Sequence, residues 1–153
     1  MRLSQATLSA AVISLLPGLA PAQDYSFNVA ARKGEMDLMA INTGVLGNMA
    51  KGKTPYDADA ATAAAANLVT ISKITQGLLW PEGSSNADMQ DTKALPKIWE
   101  SYDDFLAKWD AKAKAAEALL AVAGDGVDAL APALGKLGEA CTACHKEYRQ
   151  PDK

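Results

Sequence analysis

Apolar positions recur every three or four residues in four stretches of the chain, and none of these stretches alternates as a half-buried strand requires. The first runs from about Tyr25 to Lys51. Val29, Arg32, Met36, Met39, Thr43, Leu46 and Met49 share one face of it, and Gly52 and Pro55 end it. The second runs from about Asp57 to Leu79, Ala-rich between Ala58 and Ala66, then carrying Leu68, Ile71, Ile74 and Leu78. Asp57 and Asp59 suit the positive end of that helix. Trp80 to Ala94 holds Pro81, Gly83, Ser84, Ser85 and Asn86 and predicts a long loop, a length that is often functional in a compact domain. The third helix is expected from near Pro96 to about Ala123, its stripe drawn through Trp99, Tyr102, Leu106, Trp109, Ala113, Ala116 and Leu120. Gly124 to Gly126 breaks it. The fourth is expected from about Asp128 to Arg149, with Leu130, Leu134, Leu137, Cys141, Cys144, His145 and Tyr148 on one face and a kink at Pro132. Two short connections and one longer one fit an all-α fold, an antiparallel up-down four-helix bundle.

The first 22 residues read differently. Arg2 is a short positive start, Ala6 to Leu19 is mostly apolar, and Ala20-Pro21-Ala22 has the small residues of a cleavage site. The stretch is too short and broken for a membrane anchor. Residues 1–22 are therefore expected to be a secretory signal peptide. Residues 23–153 are then one four-helix-bundle domain, exported and not inserted in the membrane. At 49% hydrophobic and 22% charged, the composition excludes disorder. Fifteen basic residues against 18 acidic, with no basic stripe, argue against nucleic acid as a partner.

Both cysteines and the only histidine lie within five residues, Cys141-Thr142-Ala143-Cys144-His145. C-x-x-C-H is the attachment signature of a c-type haem. Two thiols at i and i+3 of a helix lie on one face, as two vinyl groups of one macrocycle require. His145, on the same face, reaches the iron as axial ligand. The expectation is one covalent haem c per chain, with Cys141 and Cys144 as anchors. A redox dithiol would sit near a βαβ pattern, which is absent. A zinc site needs four ligands, and the chain has no other Cys or His. With a single His, the opposite side of the iron must hold Met, another weak ligand, water or nothing.

These residues resemble the cytochrome c′ family. The C-terminal C-x-x-C-H is followed by Tyr148-Arg149. Arg32-Lys33-Gly34-Glu35-Met36, Ala50-Lys51-Gly52, Pro55-Tyr56-Asp57-Ala58 and Thr92 to Trp99, with Phe105 beyond, match the family's other segments. The resemblance covers residues 23–153. It implies a four-helix bundle, usually a homodimer in the periplasm, and a high-spin five-coordinate iron held by His145. It also implies that Arg32, joined by Lys33, contacts a haem propionate and that Met36 packs over the open side of the iron. Arg149 would lie in the proximal pocket, Thr92 would be a weaker loop contact, and Trp99 and Phe105 would pack around the haem.

Met36 has two roles open to it. Bound to iron, its thioether would make a low-spin six-coordinate electron-transfer cytochrome, as in low-spin relatives of the same helical family. Unbound, it would crowd an open iron, and this wall is the preferred reading. An apolar distal side would favour nitric oxide or carbon monoxide over dioxygen, which gains more from a hydrogen-bond donor. The expected function is therefore gas binding with some electron transfer to an unidentified redox partner. No base, nucleophile or cleft points to an enzyme. The small side chains of Ala58 to Ala66 make that stretch the expected dimer surface.

Overall fold

The structure, a computed structural model, describes residues 23–152; the expected signal peptide lies outside them. Five helices follow in order: α1 (Ser26–Ala50), α2 (Ala58–Ser72), α3 (Lys97–Glu100), α4 (Tyr102–Leu120) and α5 (Val127–Tyr148). The four long ones form a bundle in which α1 packs on α2, α2 on α4, α4 on α5 and α5 back on α1. No described helix is long and apolar enough to cross a membrane.

Local chemistry sets the helix ends. α1 stops where Gly52 takes φ +66°, a left-handed conformation that suits a residue without Cβ. The Gly52 and Lys53 amides then donate back to the Met49 and Asn48 carbonyls. Asp57 caps α2 by accepting from the Ala60 amide at 2.8 Å. α5 starts after Gly126, at φ +102°. Tyr56 closes that corner: its hydroxyl donates to the Ala123 carbonyl at 2.7 Å and accepts from the Gly126 amide at 2.9 Å. Pro132 sits within α5, in its second turn, and the helix continues through it.

Three expectations need correcting. The second helix ends at Ser72 rather than Leu79, and Gln76–Leu78 form a separate 3-10 turn. The Trp109 indole donates to the Ser72 carbonyl at 3.1 Å, satisfying one of the groups left open at that helix end. The third helix is broken at Ser101, whose φ −138° and ψ 49° separate α3 from α4. That break shifts the helical phase. Phe105 is buried where Leu106 was expected and Leu106 is exposed, while Leu119 is buried and Leu120 packs half-buried against the central cluster. The Ala-rich stretch is only partly a free surface: Ala61, Ala64 and Ala65 are buried in the protomer's own core, while Ala60 and Ala63 stay exposed. Small side chains there serve close packing inside the bundle. The exposed apolar face lies instead on α1, where Leu38, Ile41 and Val45 follow at spacings of three and four.

The core divides in two. A central cluster joins Leu46, Leu68, Leu119, Leu130 and Leu137 across all four long helices, with alanines between them. A second, aromatic cluster of Ile98, Phe105 and Tyr148 gathers Trp80, Trp99 and Tyr102 at the C-terminal end of α5. An isolated bridge between Ala94 and Arg149 ties the long loop to the end of that helix. The C-x-x-C-H segment lies where the two clusters meet: Cys141 packs against the first and Cys144 against the second.

Candidate functional site

α5 carries both thiols half-buried and free, with His145 at the surface one turn beyond Cys141. Burial pushes the Cys144 thiol up to about 11 and raises that of Cys141 as well. A redox or metal-binding cysteine shows the opposite, a depressed thiol pKa. Among the described residues no cluster of three or more His, Cys, Asp or Glu could hold a metal ion. Burial, and then the charge of Arg149, lower the pKa of His145. The imidazole is therefore neutral at pH 7, the form that can donate a lone pair to iron.

Opposite α5, helix α1 presents an inner face with more polarity than its sequence suggested. Arg32 is 3% exposed and forms no ion pair with any described residue. It donates through Nη1 to the Ser84 hydroxyl at 2.9 Å and through Nη2 to the Ser84 carbonyl and to Thr92 Oγ1 at 3.0 Å. Its guanidinium lies 4.5 Å from the Trp80 ring centroid. Burial lowers its pKa to about 10, so it stays a cation. Arg32 is thus an inward charge held by a loop, not a solvated helix charge.

One turn on, Glu35 is 5% exposed. Its Oε1 accepts from Gln76 Nε2 at 3.1 Å, and Gln76 Oε1 accepts from the Trp80 indole at 2.8 Å. Glu35 Oε2 is buried with no hydrogen-bond partner. Burial raises the Glu35 pKa. Met36 is half-buried at the flank of this face, one turn from Arg32. An inner face holding Arg32, Glu35 and Asn42 is not the apolar wall assumed from the sequence. Asn42 accepts from Asn67 Nδ2 at 3.0 Å across the α1–α2 contact. Sequence reading missed Glu35 and Asn42 because charged and amide side chains usually face water; only their spacing of three and ten from Arg32 hinted otherwise.

The remaining predicted residues divide. Thr92 joins Arg32 through its hydroxyl. Trp99 donates to the Trp80 carbonyl at 3.0 Å, and Phe105 packs edge-on to Trp80 at 4.9 Å between centroids, so both stand beside Cys144. Arg149 pairs with Asp152 at 2.9 Å and lines a surface recess of about 430 Å³ with His145, Thr142 and Pro151. Lys33 is not brought to Arg32. It is exposed, beside a separate cleft of about 270 Å³ with Asp88 and Asp91.

The donor set fits a covalent haem. Two adjacent thiols can take two vinyl groups, a neutral imidazole on the same helix can take the iron, and Arg32 is a buried cation suited to a carboxylate.

Comparison with known proteins agrees. The profile of the Cytochrome C′ family matches residues 28–149. A cytochrome c′ of Cereibacter sphaeroides is 43% identical over 142 residues, covering 93% of this chain and 95% of its own. A solved structure, cytochrome c′ from Rhodobacter Spheriodes, superposes with a TM-score of 0.82 at 42% identity, covering 85% of this chain and all of that one. The nitric oxide complex of a single-residue variant of the Alcaligenes xylosoxidans cytochrome c prime superposes with a TM-score of 0.72 at 30% identity, covering 83% of this chain and 97% of that one. The chain therefore belongs to the cytochrome c′ family, and its cofactor is covalently attached haem c.

Proposed function

We propose that this protein is an exported, periplasmic haem protein that binds nitric oxide or carbon monoxide and exchanges electrons with a redox partner, without acting as an enzyme. The single observation that carries this reading is the arrangement of α5 against α1: the chain's only imidazole on one side, and no second His to close the other. In it, Cys141 and Cys144 would anchor the macrocycle and His145 would hold the iron. Arg32, itself oriented by Ser84 and Thr92, pairs with a propionate. Met36 limits access to the open side, and Arg149 holds the surroundings of His145 electropositive. When bound, the haem would supply an iron able to take a diatomic gas. The nitric oxide complex of the related Alcaligenes xylosoxidans protein supports the choice of ligand.

The exposed α1 stripe of Leu38, Ile41 and Val45 supports a homodimer, because it is an apolar surface at helical spacing. The test of function is an optical titration of the ferrous holoprotein with nitric oxide. A shifted Soret band is expected, and an unchanged spectrum refutes gas binding. The ferric spectrum tests the coordination. High-spin bands are expected, whereas a Met–iron charge-transfer band would mean that the Met36 thioether is bound.

A further inference from the structure

Helix α4 turns a lysine inward where a bundle helix ordinarily places an apolar side chain. Lys112 is 6% exposed and shares its face with Phe105, Trp109, Ala116 and Leu119. Its Nζ lies 3.6 Å from the Trp109 ring centroid and 3.5 Å from Met39 Sδ on α1. Met39 and Cys141 pack against the same apolar cluster, which places the amine in the angle between α1 and α5, beside the haem-bearing thiols. A ring face and a thioether are weak partners for a charge deprived of water. No carboxylate lies within ion-pair distance among the described residues, although Glu35 acts on Lys112 from α1.

A buried charge this close to the macrocycle acts on the iron through a medium that screens far less than water. Ferric haem carries one more positive charge than ferrous haem, so a neighbouring cation disfavours the oxidised form. Reduction adds one electron from an external donor and leaves every covalent bond in place. We propose that Lys112 is a tuning residue for electron transfer, its buried ammonium held beside Cys141 and Cys144 so as to favour reduced iron. Burial lowers the Lys112 pKa to about 8, so the charge is present at pH 7 and is lost above that. The groups facing it are Glu35 from α1 and Cys141 and Cys144 from α5, with none from α2; the two thiols no longer titrate once they are thioethers.

The inference rests on haem attachment and not on gas binding. Its test is a spectroelectrochemical titration of the holoprotein between pH 6 and 10. K112M should show a lower midpoint potential at pH 7 and lose a fall in potential that the parent shows around pH 8. K112R should keep the parent's pH 7 potential, because it keeps the charge. Replacing a buried cation by an apolar side chain of similar length is usually tolerated, so K112M is expected to fold; K112Q gives the same reading if it does not. A coloured K112M or K112Q protein with the parent's midpoint and pH profile overturns the proposal. So does a K112R midpoint shifted as far as that of K112M. A colourless parent is a separate outcome, which overturns the haem-bearing thiols on which the inference stands.

Discussion

Replacing Arg32 with Met keeps the aliphatic reach of the side chain and removes its fork. Three charge-assisted hydrogen bonds are lost, to Ser84 Oγ, the Ser84 carbonyl and Thr92 Oγ1. At the low end of the usual range these contribute about 1.5 kcal/mol each. The stack on Trp80 adds about 1 kcal/mol. Against this stands the burial of the cation. Lowering its pKa to about 10 corresponds to a cost of about 3–4 kcal/mol that the Met variant does not bear. The balance is a loss of about 2 kcal/mol. Ser84 is fully buried, so its carbonyl would be left without that donor. For a chain of this size, about 2 kcal/mol corresponds to a fall in Tm of roughly 6 °C. Circular dichroism at 222 nm on holoprotein melts checks it. An unchanged Tm would mean that Arg32 is a solvated helix charge after all, and the loop of residues 73–96 would then lack its described anchor.

Further outcomes follow from other contacts. Leu119→Ala, fully buried in the central cluster, should lose about 2–5 kcal/mol in denaturant unfolding. Tyr56→Phe removes the donor and acceptor that close the α4–α5 corner, and should cost about 1–2 kcal/mol by the same assay. The depressed Lys112 pKa has a definite sign in stability. Between about 8 and the unfolded value near 10.4, the unfolded chain holds the extra proton, so stability rises with pH over that window, and K112M flattens the rise. Denaturant midpoints at pH 7, 8, 9 and 10 check it, and a parent profile as flat as that of K112M refutes it. Ile41→Lys, on the exposed α1 stripe, should shift sedimentation from dimer to monomer; a dimer unaffected by this change would place the interface elsewhere.

The helical period and its breakers made α1 and α5 legible within a residue or two, because Gly52, Pro55 and Gly126 act locally. The attachment segment was legible for the same reason: five consecutive residues carry its chemistry. What sequence did not reveal was decided by long-range packing. The break at Ser101 sits in a run with no Gly or Pro, and it rotated the face of α4 from Leu106 to Phe105. Of the α2 alanines, Ala61, Ala64 and Ala65 pack inside the bundle, where the composition alone did not separate them from the exposed Ala60 and Ala63. Glu35 and Lys112 are charged residues that ordinary patterning assigns to solvent; their burial depends on Gln76, Trp109 and Met39, which come from separate elements. Arg32 was assigned inward through a family resemblance, and the loop residues Ser84 and Thr92 explain how it stays there.

The central claim is that the haem is bonded to Cys141 and Cys144. Intact-mass measurement after acid–acetone extraction of the denatured holoprotein, with peptide mapping across Cys141 to His145, tests it most directly. The account predicts that one haem mass stays on that peptide and that Cys141→Ala/Cys144→Ala loses it. A pigment that is extracted completely into the solvent would contradict the account.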